Sequence, residues 1–328
     1  MLIKEKTMRN IKFLFLLFTL IFVNESWSQQ ESSITNYWSH MNIINPAYVA
    51  SDGMINFKST VRNQWAGISE SPKTQMFSYQ RPVFENVGIG LSISNDKVFI
   101  ENSTFVTLDF SYKLQVSEKS LLYFGMKAGV DFYSINTSSL QTFSQLGFQF
   151  DPRLLNVDNV SPNVGIGFLL KKKNWYLSAS IPRMLSAERA SNYGDYNTVV
   201  ARTKPHFYMS SGYDIKVSST NWVLSPSFLL RSVENVPMAF DTNLLVKYND
   251  KMSLAFTYGN RKTYAFTFGI DLYDKFSVGY SYQTSSRALL STEWNSSELY
   301  LAYSVPYKKN KNNVCLLYTS DAADESRG

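Results

Sequence analysis

The strongest constraint on the fold is an alternation of apolar and polar side chains over residues 54–65. One set of alternate positions is mostly apolar and reads Ile55, Phe57, Ser59, Val61, Asn63 and Trp65. The other set is mostly polar or charged and reads Met54, Asn56, Lys58, Thr60, Arg62 and Gln64. Successive side chains of a strand point to opposite faces, so the stretch is predicted to be a strand with one apolar face. Its length suits a strand that crosses a membrane at a tilt.

The same alternation recurs along the rest of the chain. The further predicted strands cover residues 74–81, 87–94, 105–114, 121–132, 163–170, 175–181, 206–217, 222–231, 238–247, 252–259, 264–273, 276–283 and 298–307. With the first strand they make about fourteen, and even numbers are the rule for single-chain bacterial barrels. If the sheet closes, the last strand must pair with the first. The predicted fold is therefore an all-β, transmembrane, antiparallel outer-membrane β-barrel over residues 54–307.

The connections between the predicted strands alternate in length. The short ones are 83–86, 115–120, 171–174, 218–221, 248–251 and 274–275. The others are usually longer, at 95–104, 133–162, 182–205 and 284–297, with short exceptions at 232–237 and 259–263. Outer-membrane barrels have short periplasmic turns and longer outer loops, so the short set is predicted to be periplasmic. A soluble β-sandwich has no reason to alternate in this way and is disfavoured. Loops 133–162 and 182–205 are long enough to be binding surfaces.

The segments that flank the predicted barrel are not predicted to be barrel strands. Residues 1–28 resemble a secretory signal peptide, with a basic region followed by the apolar run 13–23 and cleavage before Gln29. Residues 29–53 lack a strand period and are predicted to be a leader that is either periplasmic or packed in the lumen. Residues 308–314 would be a periplasmic tail. Residues 315–328 resemble a translated sequencing adapter and are excluded from the fold.

The composition and the motifs argue against a catalytic, metal-binding or nucleic-acid-binding function. The single cysteine, Cys315, lies in the excluded segment, and the two histidines, His40 and His206, have no triad partners or metal-ligand spacing around them. The formal net charge of +6 is spread over many loops, which favours a solvated surface over nucleic-acid binding. Aromatic residues make up 15% of the chain, as suits a membrane barrel. We expect no enzyme activity, no metal, no cofactor and no nucleic-acid partner.

The two faces of the strands suggest two environments. The outward set is expected to face lipid and includes Leu91, Ile93, Leu108, Phe110, Leu254 and Phe256, whereas an arginine at inward Ser92 is expected to cost little. Ten inward positions are charged: Lys58, Arg62, Asp109, Lys113, Lys127, Asp131, Lys216, Arg231, Asp241 and Lys247. A polar lumen with paired or hydrated charges explains them, and a selectivity ring or a docking site for a threaded segment is the alternative.

Three short motifs near the start of the barrel carry a family resemblance. Asn45-Pro46-Ala47, Arg62-Asn63-Gln64-Trp65-Ala66-Gly67 and Pro72-Lys73-Thr74 resemble the N-terminal signature of the PorP/SprF family. The chain has Val49-Ala50-Ser51 where the family prefers an Ala-Gly pair. Residues 162–167, 178–182, 224–231 and 279–282 also resemble family segments. Before the last strand, Ser296-Ser297-Glu298 replaces the usual Ser-His-Glu, so any function of that histidine is absent.

The resemblance implies a function in export. Members of the family are integral outer-membrane proteins of type IX secretion and gliding motility, without chemistry of their own. Their implied partners are the C-terminal domains of secreted substrates, the periplasmic ring and the translocon. The family motifs give a candidate binding set of Asn45, Pro46, Ala47, Arg62, Gln64, Trp65, Gly67, Pro72 and Glu298. A passive porin-like channel for small solutes is the alternative function.

The first hairpin admits two interpretations. Arg62 is predicted to point inward, where an unpaired charge is costly unless it meets water or a carboxylate. Gln64 is also predicted inward, whereas outward Trp65 suits an aromatic belt at the lipid headgroups. The motif is then either a structural staple at the barrel seam or part of a partner-binding surface.

Overall fold

The computed structural model of the protein describes residues 34–65, 67–137, 143–144, 147–148, 156–193, 196–286 and 295–307. The predicted signal peptide, the tail 308–314 and the adapter-like segment 315–328 lie outside these ranges. Most described residues belong to β-strands, which agrees with the alternation of the sequence. Among the described residues, no helix has the length and apolarity needed to cross a bilayer.

The described strands are β1 (Met54–Gln64), β2 (Lys73–Phe84), β3 (Val87–Val98), β4 (Glu101–Ser117), β5 (Ser120–Ile135), β6 (Phe143–Ser144), β7 (Gly147–Phe148), β8 (Val157–Lys172), β9 (Trp175–Ile181), β10 (Ala187–Tyr193), β11 (Tyr196–Thr203), β12 (His206–Tyr213), β13 (Ile215–Lys216), β14 (Trp222–Val233), β15 (Val236–Tyr248), β16 (Met252–Gly259), β17 (Thr263–Leu272), β18 (Phe276–Ser285) and β19 (Ser296–Pro306). Three short helical turns precede them, at Tyr37–Ser39, Met41–Ile44 and Pro46–Tyr48.

One antiparallel sheet closes on itself to form the barrel. Strands pair with their chain neighbours around the sheet, β12 pairs with both β9 and β14, and β19 returns to β1. β13 continues the line of β12 after Asp214 and also pairs with β14. The hairpins β6–β7 and β10–β11 form separate small sheets. The prediction of a fourteen-stranded antiparallel barrel, with the last strand paired to the first, is confirmed.

The two ends of the barrel are defined by the first strand. We call the end at Met54 the lower end and the end at Gln64 the upper end. The lower end has short turns, such as Glu85 with Asn86 and Glu118 with Lys119. The upper end has the longer connections, including the segment between β9 and β12 that carries the β10–β11 hairpin.

The outer face of the barrel is apolar and the inner face is polar. Leu108 is 67% exposed and Phe266 is 62% exposed, whereas inward Ser78 and Ser281 are at most 1% exposed. A soluble protein rarely exposes an apolar surface of this extent. In an integral outer-membrane barrel this surface faces lipid.

The prediction that residues 95–104 form a loop is wrong. β3 and β4 extend through it and leave only Phe99 and Ile100 as a turn. In the added part of the ladder, Asn95 Nδ2 donates to Asn102 Oδ1 at 2.8 Å. Polar residues occupy both faces of these extensions, so no apolar period marks them as strand.

Candidate functional site at the barrel seam and lumen

Residues 34–53, which we call the lumen segment, lie inside the barrel. Near the upper end, Asn36 Oδ1 accepts a hydrogen bond from Thr267 Oγ1 at 2.8 Å. Near the lower end, Ser51 O accepts one from Tyr123 Oη at 3.3 Å. The segment therefore runs down the lumen before the chain turns into β1. Asn36, Ala47 and Val49 are 0% exposed.

The lumen segment folds as short helical turns, and Asn45 and Pro46 define where the last turn begins. The Asn45 side chain accepts from Ala47 N at 2.9 Å and caps the last turn. Pro46 opens that turn, where its missing N–H leaves no donor unsatisfied. This local pattern explains why Asn45, Pro46 and Ala47 occur together.

The Asn45-Pro46-Ala47 turn sits against glycines of the barrel wall. Asn45 Nδ2 donates to the backbone oxygen of Phe168 at 3.0 Å. A Cβ on Gly167 would collide with Asn45 Oδ1, and one on Gly125 would collide with Ala47 N. Glycine on the inner face thus lets the turn approach the wall closely.

The seam between β1 and β19 carries a buried ion pair. Arg62 and Glu298 are register partners, and Arg62 Nη1 lies 3.2 Å from Glu298 Oε2. The two side chains are 4% and 0% exposed. Arg62 points inward as predicted, and of the two environments that the sequence left open for it, water or a carboxylate, the structure has the carboxylate of Glu298, also in the candidate set.

Glu298 joins the seam to the lumen segment. Its carboxylate accepts from Thr35 N at 2.9 Å and from Asn36 N at 3.1 Å. Arg62 Nη2 donates in turn to Gln283 Oε1 of β18 at 2.6 Å. A single carboxylate therefore holds the first strand, the last strand and the start of the lumen segment. These hydrogen bonds and the ion pair offset most of the free-energy cost of burying the charges of Arg62 and Glu298.

A second buried ion pair lies deeper in the lumen. Lys127 Nζ is 2.6 Å from Asp109 Oδ1. Ser92 Oγ donates to Asp109 Oδ2 at 3.2 Å and accepts from Asn42 Nδ2 at the same distance. The expectation that an arginine at Ser92 costs little assumed an open lumen, whereas Ser92 is 4% exposed and lies between Asp109 and the lumen segment. We therefore expect an arginine there to be costly.

His40 is buried inside the barrel against the first strand. Its Nε2 lies 2.6 Å from Thr60 Oγ1, and the ring is 1% exposed. Lys58 Nζ donates to Ser39 O at 2.8 Å. These contacts fix the lumen segment to β1.

The remaining motif residues lie at the upper end of the first hairpin. Gln64 N donates to Pro72 O at 2.9 Å, and Ile68 N donates to Trp65 O at 2.9 Å. Gly67 is exposed, and no described atom lies within 4 Å of a Cβ placed on it. The candidate set is therefore divided. Its lumen part contains Asn45, Pro46, Ala47, Arg62 and Glu298, and its loop part contains Trp65, Gly67 and Pro72, joined by Gln64.

The residues that link the two strands of the seam to the lumen segment are absent from the predicted site. Thr35 and Asn36 belong to a stretch without any period, and Gln283 ends a predicted strand. Their contacts join positions more than 200 residues apart, as between Thr35 and Glu298. The only signal in the sequence was an inward arginine that needed an acceptor.

Comparison with known proteins identifies one family. The family model described as type IX secretion system membrane protein PorP/SprF matches residues 26–303. This range contains the lumen segment, the seam and nearly all of the barrel. No curated protein matches the chain.

The chain is also similar to solved outer-membrane proteins. Omp33 of Acinetobacter baumannii is 9% identical with a TM-score of 0.45, and the match covers 77% of this chain and 98% of that one. The toluene transporter TodX of Pseudomonas putida is 10% identical with a TM-score of 0.47, covering 86% and 95%. The toluene transporter TbuX of Ralstonia pickettii is 11% identical with a TM-score of 0.49, covering 80% and 92%. Similarities at this level carry no argument about function.

Proposed function

This chain belongs to the PorP/SprF family of type IX secretion system membrane proteins, and on that premise we propose that it is a non-enzymatic docking component with a filled lumen. It engages the C-terminal domains of secreted substrates, or the periplasmic ring and translocon, in protein export and gliding. The observation that carries this proposal is the lumen segment. It occupies the interior and is hydrogen-bonded to the wall from Thr267 to Tyr123.

The alternative, a passive porin-like channel, is less well supported. A diffusion channel needs a hydrated interior with charges available to solutes. Here Arg62 and Lys127 pair with carboxylates, and Arg231 Nη2 lies 2.8 Å from Asp241 Oδ2. The lumen segment covers the first two of these pairs. A lumen with paired charges and a packed segment suits the docking of a partner better than the diffusion of solutes.

Single-channel conductance separates the two functions. The purified full chain in planar bilayers is expected to conduct far less than an open general porin recorded in the same bilayers. Gly167→Leu should raise the conductance, because its side chain displaces the Asn45-Pro46-Ala47 turn from the wall. Gly67→Leu is the matched control, since no described atom lies within 4 Å of its Cβ.

The proposal fails if the unmodified barrel conducts as an open porin does. Should Gly167→Leu not assemble, Gly125→Ala offers a smaller displacement of Ala47. Heat-modifiable migration on a gel confirms that each variant is folded before its conductance is compared. A closed wild type and a more open Gly167→Leu or Gly125→Ala variant support a filled lumen.

The loop part of the motif is the proposed contact with partners, whereas the lumen part is structural. Trp65→Ala should leave the amount of folded barrel unchanged and reduce export of the cognate substrate at least tenfold. The reason is that an aromatic anchor is a frequent hot spot of protein interfaces. Tyr273→Ala is a control, because Tyr273 is 90% exposed at a lower-end turn. Unchanged export in Trp65→Ala would remove this loop from the proposed interface.

The proposed orientation places the upper end outside the cell. A short epitope tag inserted after Gly67 should be labelled on intact cells, because the longer connections of outer-membrane barrels face outward. A tag between Asn249 and Asp250 should be labelled only after the outer membrane is permeabilised. The reverse pattern would invert the orientation, and with it the side on which partners bind.

A further inference from the structure

An apolar groove of about 610 Å³ runs along the outer wall of the barrel from β9 to β16. Its floor consists of the outward residues Ser211, Pro226 and Thr242, which are small beside their neighbours. Tyr213 and Phe228 form its sides and are 49% and 37% exposed. A volume in this range is typical of sites that bind small molecules.

Small outward side chains on the adjacent strands β12, β14 and β15 explain the groove. β12 stops at Tyr213, and the chain resumes as β13 only after Asp214. Asp214 N donates to Asn174 O at 2.7 Å on the β9 side, and the pairing with β14 keeps one register from Gly212 opposite Ser227 to Ile215 opposite Leu224. Pro226 on the adjacent β14 has no N–H to donate. The outer surface is therefore low at Ser211, Pro226 and Thr242, whereas neighbouring outward positions carry large aromatic side chains.

Two lysines lie at the lower margin of the groove. Lys172 Nζ is 5.4 Å from the ring centroid of Trp175, and Trp175 lines the groove. Lys173 follows in the exposed turn between β8 and β9. Neither lysine forms an ion pair with any residue that the structure describes. Asp214 is the nearby carboxylate, and its Oδ1 accepts from inward-facing Ser225 at 2.6 Å, away from the outer face.

Aromatic side chains place this margin at a membrane interface. Trp222 and Tyr248 pack against each other at the lower end of β14 and β15, with ring centroids 4.6 Å apart. Tryptophan and tyrosine collect at the level of the lipid headgroups. The groove thus lies at acyl-chain depth, and the ammonium groups of Lys172 and Lys173 lie at headgroup depth.

We propose that this groove is a binding site for one anionic glycerophospholipid. One acyl chain lies over Ser211, Pro226 and Thr242, and the phosphate is held by Lys172 and Lys173. Charge complementarity favours an anionic headgroup, and the lipid-facing position of the groove favours a lipid over a protein segment. In the orientation proposed above, the lipid comes from the inner leaflet.

Native mass spectrometry of the full chain in detergent tests the site. Phosphatidylglycerol and phosphatidylcholine with identical acyl chains are the probes. We expect the wild type to retain one phosphatidylglycerol and to bind phosphatidylcholine at least tenfold more weakly. The paired change Lys172→Gln and Lys173→Gln should weaken phosphatidylglycerol about thirty-fold, the ratio expected for two lysines near an anionic lipid.

Matched variants separate the site from general lipid adhesion. Thr242→Phe fills the groove and should abolish retention of both lipids. Ala128→Phe places the same side chain on the outer face of β5, and Lys119→Gln removes a lysine from another lower turn. Both controls should bind as the wild type does. Equal retention of the two lipids by the wild type, or retention that none of the site variants changes, overturns the proposal. Export does not enter this readout, so the proposed function is tested independently.

Discussion

Arg62→Ala is expected to lower the free energy of unfolding by about 3–5 kcal/mol, the usual cost of removing one partner of a buried ion pair. The change leaves the Glu298 carboxylate, which is 0% exposed, without its cation. It also removes a donor to Gln283. The loss falls at the seam, where the first and last strands must find each other for the barrel to close. We therefore expect the level of folded barrel and the export of substrate to fall together.

Heat-modifiable migration and urea unfolding in micelles measure this effect. Glu298→Gln should act in the same direction, because one amide oxygen cannot replace a carboxylate that accepts from Arg62, Thr35 and Asn36. Lys204→Ala is the control, since its ion pair with Glu234 is solvent-exposed and joins segments other than β1 and β19, so its loss should cost little. A normally folded Arg62→Ala barrel that exports nothing would move Arg62 from the seam to the binding surface. Normal folding with normal export would contradict both interpretations.

Leu108→Arg is expected to destabilise the barrel in the membrane by about 2–4 kcal/mol, the cost of an arginine on the lipid face near the midplane. Leu108 is 67% exposed on the outer face of β4, and its register partners on β3 and β5 are the apolar residues Leu91 and Ala128. The measurement is the urea dependence of folding into lipid vesicles, together with the amount of barrel that assembles in cells.

Val116→Arg on the same strand is the control for depth. Val116 is 58% exposed near the lower end of β4, where an arginine can reach the headgroups and should cost about 0–1 kcal/mol. Ser92→Arg no longer serves as a mild control, because Ser92 contacts Asp109 and Asn42 under the lumen segment. Equal effects of Leu108→Arg and Val116→Arg would show that β4 does not cross the hydrocarbon with this face outward.

The alternation of side chains was sufficient to predict the class of fold. Phe57 and Val61 on one face of β1, and Thr60 and Arg62 on the other, distinguish lipid from lumen without any knowledge of neighbouring strands. This signal is local, because the side-chain period of a strand depends only on its own backbone. It failed at Asn95 and Asn102, where both faces of the ladder are polar and the strand has no apolar period.

The contents of the lumen were decided only by the tertiary structure. Residues 34–53 have no period that distinguishes a periplasmic leader from a packed one, and their partners lie on strands throughout the barrel. The seam illustrates the reason. Arg62 required an acceptor, but Glu298 becomes that acceptor only when β1 and β19 pair in one register and Thr35 reaches the same carboxylate. Local sequence determines which face of each strand is polar, whereas closure of the barrel determines which polar groups meet.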